Sequence, residues 1–115
     1  SATVSSGEMN LAQLLDGMGI EYQTQYTIPE FSLYSKFDVA ILESGKLKGL
    51  IEYDGEQHFK PIALFGGEEQ FRVQQERDGR KNDYCKKHNI PLVRIPYTDY
   101  DVLSEEYLIS RISRF

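Results

Sequence analysis

Apolar residues recur along this chain at two periods. From Glu8 to Met18, the residues Met9, Leu11, Leu14, Leu15 and Met18 return at helical spacing, which predicts an amphipathic helix. Ser6 is the expected N-cap, and Gly17 or Gly19 the expected stop. From Ile20 to Ile28, the residues Tyr22, Thr24, Tyr26 and Ile28 alternate with polar neighbours, the period of a strand. Pro29 closes that strand, and Glu30 to Ser35 reads as a loop or turn. Phe37 to Leu42 predicts a second strand, apolar except for Asp38. Glu43-Ser44-Gly45-Lys46 has the composition of a hairpin turn, and Leu47 to Asp54 returns as a third strand, apolar until Glu52 and Asp54.

The second half changes character. Glu68 to His88 is helical in pattern and densely charged, with Phe71, Gln75, Asn82 and Cys85 as expected inward positions and Gly79 as an expected bend or break. Pro91 to Ile95 predicts a fourth strand. Asp101 to Phe115 predicts a closing amphipathic helix through Leu103, Tyr107, Ile109 and Ile112. Helix, three strands, helix, strand, helix implies an α/β layer fold with a mixed central sheet flanked by helices.

A chain of 115 residues makes one domain, 1–115, with ordinary hydrophobic (40%) and charged (27%) fractions. No apolar run approaches the roughly 20 residues of a membrane span. Ser1 to Gly7 has no signal-peptide pattern, and the missing initiator Met implies a longer natural protein. The single cysteine, Cys85, fits a reducing, cytoplasmic setting. The net charge of −5 opposes strong nucleic-acid binding by this domain alone. Yet Arg72, Arg77, Arg80, Lys81, Lys86, Lys87 and His88 are concentrated in one stretch.

Three groups of residues invite chemistry. Asp38 interrupts an apolar strand, where a carboxylate is costly unless paired; the alternative is a strand-edge residue capping a turn. Glu52 and Asp54 are two apart, so on one strand they share a face, and the hairpin would set Asp38 beside them. Such carboxylates repel one another unless a hard divalent cation joins them. Ion pairs with Lys46, Lys48 or Lys60 are the competing reading. His58 follows the Gly55 break, and an imidazole with a free pKa of roughly 6.5 can move a proton there, although a lone histidine is more often structural. The run Arg77-Asp78-Gly79-Arg80-Lys81-Asn82-Asp83 is either a solvated helix face or, with Asp78 and Lys81 three apart, a carboxylate and an ammonium presented together. No nucleophile elbow, paired cysteines, HExxH motif or phosphate-binding glycine loop is present, so no nucleotide cofactor is expected.

Phe37-Asp38, the run Ile51 to Phe59, the run Arg77 to Cys85, and Leu92 to Tyr97 together resemble the PD-(D/E)xK nuclease superfamily. They are most similar to the EDxHD branch, relatives of the very-short-patch-repair endonucleases that include phage homing endonucleases. The resemblance runs from Ser6-Gly7-Glu8 to Tyr97 and implies a restriction-endonuclease-like fold. It matches Glu8 to the leading glutamate, Asp38 to the metal-binding aspartate, His58 to the histidine and Asp78 to the last aspartate. Most of the superfamily has (D/E)-x-K where this chain reads Glu52-Tyr53-Asp54, an acid in place of the lysine. Phe37 also stands where proline usually precedes the aspartate.

The resemblance implies a Mg²⁺-dependent DNA endonuclease, with Mn²⁺ able to substitute, acting on double-stranded DNA as the catalytic domain of a site-specific homing endonuclease. Expected catalytic residues are Glu8, Asp38, His58, Asp78 and Lys81. Expected metal-site residues are Asp38, Glu52, Tyr53 through its carbonyl, and Asp54. Expected DNA contacts are Arg77, Arg80 and Lys81, with Lys81 or Arg80 as the surrogate cation. A separate DNA-binding region, a homodimer and a host-cytoplasmic location if phage-encoded are further expectations. The competing readings are a mismatch-repair or structure-specific nuclease, an inactive nuclease-fold binding module, and an unrelated α/β domain with structural charges.

Overall fold

The first three strands form an antiparallel meander, and the fourth returns parallel to the third. In the computed structural model, which describes residues 5–115, the chain runs α1 (Ser6–Gly17), β1 (Tyr22–Thr27), β2 (Lys36–Glu43), β3 (Lys46–Asp54), α2 (Gly67–Lys87), β4 (Leu92–Pro96) and α3 (Glu105–Ile112). The sheet order is β1-β2-β3-β4, with β3 and β4 parallel and α2 as their crossover. The fold class is therefore α/β with a mixed four-stranded sheet flanked by helices. Residues 1–4 of the polar N-terminal stretch lie outside the described residues. Among the described residues, no helix is long and apolar enough to cross a membrane.

The β2–β3 hairpin closes through Ser44 (φ 50°) and Gly45 (φ 79°), the paired left-handed residues that match the twist of adjoining strands. Its alternation sorts side chains onto two faces. Val39, Ile41, Ile51, Tyr53 and Ile95 pack against Leu11 and Leu15 of α1 and Leu108 of α3. Ala40 and Leu50 pack against Cys85 of α2, together with Phe37. The second face is apolar only at one end. Further along β3, Glu52 and Asp54 occupy the positions that continue from Leu50.

Several expected boundaries move. Ser5, not Ser6, caps α1, its hydroxyl accepting from the Glu8 N–H at 3.1 Å. The first strand begins at Tyr22 rather than Ile20. Helix α2 runs unbroken through Gly79. Gln75 and Asn82 are exposed, and the inward stripe is Phe71, Gln74, Asp78, Lys81 and Cys85. The stripe escapes an apolar search because its middle is polar. At the C-terminus, a 3₁₀ turn (Tyr97–Val102) replaces the start of the expected helix. Helix α3 starts only after Ser104, which accepts from the Tyr107 N–H. That phase buries Leu108 and leaves Ile109 54% exposed.

Two glycines in helices have opposite surroundings. Gly7 lies in the first turn of α1 directly on the Tyr53 ring, and a Cβ there would overlap the ring atoms. The close approach sets the neighbouring Glu8 over the end of β3. Gly79 faces open space, with no atom near the place a Cβ would occupy. Gly7→Ala is therefore expected to lower stability by about 1–3 kcal/mol through overpacking. Gly79→Ala is expected to raise it by up to about 1 kcal/mol through helix propensity. Urea denaturation of both variants checks the pair, and a stable Gly7→Ala protein would contradict this packing.

Candidate active site

The site begins where β2 and β3 part. Their ladder ends at Val39–Ile51, so the next backbone N–H groups lose their strand partners. Two carboxylates replace those partners. Glu52 Oε2 accepts from the Asp38 N–H at 2.7 Å, and Asp38 Oδ2 accepts from the Tyr53 N–H at 2.8 Å. Each acid thus satisfies the backbone of the opposite strand. That exchange explains how charged residues survive in apolar strands, since buried carboxylates persist only where donors meet them. It also fixes both side chains at the mouth of the gap.

Glu52 is 3% exposed and takes its countercharge from helix α2. Lys81 Nζ lies 2.6 Å from Glu52 Oε1 and 2.6 Å from the Lys36 carbonyl oxygen. It also sits 5.0 Å from the centre of the Phe37 ring, within cation–π range. The ammonium beside Glu52 therefore comes from a residue 29 positions further on. The expected alternatives Lys46, Lys48 and Lys60 are not its partners. Lys60 pairs instead with Glu56 at 3.0 Å on the surface.

Asp54 does not join Asp38. It is gripped by Arg94 of β4, whose Nη1 donates to Asp54 Oδ1 at 2.9 Å and Oδ2 at 3.1 Å. His58, in the short turn after β3, bridges back to α2. Its Nδ1 lies 2.9 Å from Asp78 Oδ2 and 3.5 Å from Asp54 Oδ1. Gln74 Nε2 donates to the other Asp78 oxygen at 3.0 Å. With Nδ1 so engaged, Nε2 is the nitrogen left for chemistry.

A cleft of about 550 Å³ joins these parts. Its lining brings together the acids Glu8, Asp38 and Glu52, the polar groups of Tyr53, Gln57, His58 and Gln74, and the cations Lys36, Arg77 and Lys81. Ser32, Tyr34 and Ser35 complete the rim. A smaller recess of about 200 Å³ adjoins it, lined by Phe31, Ser32, Ser35, Arg77 and Arg80. All five expected catalytic residues thus lie at or beside one cleft, with Asp78 reaching it through His58. Among the expected metal residues, Asp54 is turned away into the Arg94 pair, and Glu52 is engaged by Lys81. Among the described residues, no three His, Cys, Asp or Glu side chains form a ready-made cation cage. Arg80 reaches only the smaller recess.

The electrostatics follow from crowding. Burial, then the charges of Glu52 and Glu8, push Asp38 up to about 8 from 3.8, against the Tyr53 N–H and Lys81. Burial also raises Glu8, with the Ser5 hydroxyl and backbone opposing and the Glu52 charge adding to it. Burial raises Asp54 despite Arg94 and His58. In Asp78 burial acts upward too, but the His58 hydrogen bond and charge, with Arg94 and Gln74, hold the carboxyl below its ordinary range.

Sequence reasoning missed Arg94, Gln74 and Lys36. Arg94 carried a usable signal, because it interrupts the apolar run Leu92 to Ile95 as Asp38 interrupts its own strand. Lys36 acts through its carbonyl, which no side-chain pattern announces.

No family model matches this chain, and no solved structure matches it. It is similar to uncharacterized protein 094L of Frog virus 3 (isolate Goorha), with 43% identity over 67 residues, covering 56% of this chain and 42% of that protein. It is also similar to uncharacterized protein 307L of Invertebrate iridescent virus 6, with 45% identity over 60 residues, covering 51% of this chain and 30% of that protein. The chain spans less than half the length of either viral relative.

The raised Asp38 pKa has a stability consequence. Between about 4 and about 8 the folded protein keeps a proton on Asp38 that the unfolded chain has released. Its contribution is fully present below the lower value and is lost as the pH rises through the upper one. In EDTA, Asp38→Asn keeps the acceptor for Tyr53 but never ionises. At pH 8.5 it is expected to exceed the wild type by about 1 kcal/mol, roughly 4 °C in Tm, with the gap closing at pH 5. Melting curves at both pH values test this, and a less stable variant at pH 8.5 refutes the cost of ionising Asp38 in this buried, acidic setting.

Proposed function

We propose that this chain is the catalytic domain of a divalent-metal-dependent endonuclease that hydrolyses DNA phosphodiester bonds. The observation that carries the reading is one cleft holding Asp38 and Glu52 across a strand gap, Lys81 on Glu52, and a His58–Asp78 pair at the rim.

The donor chemistry fits Mg²⁺, with Mn²⁺ as a substitute. The candidate ligands are hard oxygens, and Asp38 is buried beside the carboxyl groups of Glu52 and Glu8, a setting that a cation would relieve. Asp38 would hold the ion, aided by the Tyr53 carbonyl and by water or phosphate oxygens, since Mg²⁺ usually retains several non-protein ligands. When bound, the ion supplies polarisation of the phosphoryl oxygens and offsets charge building in the transition state.

The chain's own residues divide the remaining work. His58 accepts a proton at Nε2 from the attacking water, because Nδ1 is committed to Asp78. Asp78 fixes the ring orientation and stabilises the imidazolium as it forms. Lys81 neutralises Glu52, so that Glu52 can hold the Asp38 backbone without adding a second free charge to the cleft. Glu8, which lines the same cleft, would serve as a proton relay or hold a water beside the ion. Arg77, and Arg80 in the adjoining recess, give flanking phosphates a cationic path. The net charge of −5 leaves much of the DNA affinity to another region or a partner, which suits viral relatives more than twice as long as the shared segment. A site-specific homing enzyme, a homodimer that cuts both strands, and a host-cytoplasmic setting extend the same reading.

A second reading has its own support. With Glu52 ion-paired and no preformed cation cage among the described residues, the domain would bind nucleic acid without cutting it.

Incubating supercoiled plasmid with the protein, with and without Mg²⁺, separates the two. Metal-dependent nicking is expected from the wild type, with His58→Ala and Asp38→Ala each slower by about 10²-fold or more. Retention of plasmid without nicking, in Mg²⁺ or Mn²⁺, supports the binding module and rejects the enzyme. Full nicking by His58→Ala rejects only its role as base.

A further inference from the structure

We propose that Arg94 is a positioning residue of this site: it selects which of two carboxylates holds His58. The inference rests on the reading of His58 as the proton-transferring group. The selection itself is a matter of geometry.

Two carboxylates approach the same imidazole nitrogen. Asp78 Oδ2 is 2.9 Å from His58 Nδ1, and Asp54 Oδ1 is 3.5 Å from it. Nδ1 carries one hydrogen and can satisfy one of them well. The guanidinium separates the competitors. Nη1 grips both oxygens of Asp54, at 2.9 and 3.1 Å, and so supplies that carboxylate with a donor of its own. Asp78 receives much less from Arg94, with Nη1 at 3.7 Å from its Oδ1. The other nitrogens pin the helix that carries Asp78. Nη2 donates to the Asp78 carbonyl at 3.3 Å, and Nε donates to Asn82 Oδ1 at 2.9 Å. One planar fork thus ties β4 to the end of β3 and to two turns of α2.

A structural ion pair alone would need only Asp54. The bonds to the Asp78 carbonyl and Asn82 set the height of α2 against the strands, and that height sets the Asp78–His58 distance. Lysine has neither the fork nor the reach to make these contacts together. Without Arg94, the carboxyl of Asp54, 6% exposed in the intact protein, would have His58 as its nearest remaining donor. It would draw the ring away from Asp78 and turn Nε2 from the cleft.

The chain has only two histidines, His58 and His88, so their ring nitrogens can be read directly by long-range ¹H–¹⁵N NMR. In the wild type, His58 is expected to show a slowly exchanging Nδ1–H and a single tautomer. Arg94→Gln should lose both, with His88 unchanged, and Arg94→Lys should not restore them. Arg94→Gln combined with Asp54→Asn removes the competitor and should restore the wild-type His58 signals. In Mg²⁺-dependent nicking, Arg94→Gln should lower kcat by about 10–100-fold with KM unchanged. The double variant should recover most of that loss. An unchanged His58 spectrum in folded Arg94→Gln overturns the proposal, as does a folded double variant that fails to restore it. If Arg94→Gln does not fold, the double variant and Arg94→Lys decide by the same signals. If the wild type nicks no DNA, the endonuclease reading fails while the spectra still judge the role of Arg94.

Discussion

The arrangement depends on a shortage of hydrogen-bond partners where β2 and β3 separate. Past Val39 and Ile51 the two strands no longer pair, yet the N–H groups of Asp38 and Tyr53 still need acceptors. Glu52 and Asp38 meet that need by reaching across to each other's backbone. The solution creates a new difficulty, because it concentrates negative charge in a place with little water. Lys81 answers the charge on Glu52 and Arg94 that on the neighbouring Asp54, and both bind α2 to the sheet. The opened strand end, the ionic half of the core and the seating of α2 are consequences of one unsatisfied stretch of backbone.

Helix α2 therefore has two jobs along one face. Near its C-terminus, Cys85 closes an apolar cluster with Phe37, Ala40 and Leu50. Towards its N-terminus, Lys81, Asp78 and Gln74 meet Glu52, His58 and each other. The apolar part supplies most of the burial that holds the helix down. The ionic part determines where it sits, because charged hydrogen bonds are short and directional whereas apolar contacts tolerate sliding. Asp38 marks the limit of this compensation. Its carboxyl is left with too little positive charge nearby, and burial with two acidic neighbours raises its proton affinity. Such local instability is common where a protein keeps residues for chemistry rather than for folding.

The distribution of charge around the cleft supports the proposed reaction class. The cleft holds acids suited to a hard cation, and Lys36, Arg77 and Lys81 line it as well, with Lys81 paired to Glu52. An acidic chain can carry cations at its cleft, because the sum of charges says little about where they lie.

The hydrophobic pattern alone determined the strands, the hairpin and the existence of three helices, because alternation and helical periodicity are local properties of the chain. The same pattern exposed Asp38 and the pair Glu52 and Asp54 as acids inside apolar strands, residue spacing drew attention to His58 and Asp78, and the resemblance added Glu8 and joined them into one site. Pairings between elements were beyond its reach. Glu52 and Asp54 are equivalent in sequence, two apart on one face, yet one meets Lys81 and the other meets Arg94. The inward face of α2 keeps the expected Phe71 and Cys85, but Gln74, Asp78 and Lys81 stand between them rather than Gln75 and Asn82, since that part of the face meets polar partners. Arg94 is an ordinary interruption of a strand until β4 is laid beside β3. Which carboxylate meets which cation depends on strand order and helix phase. Those are set by packing residues that lie tens of positions apart in sequence, so only the tertiary structure could decide them.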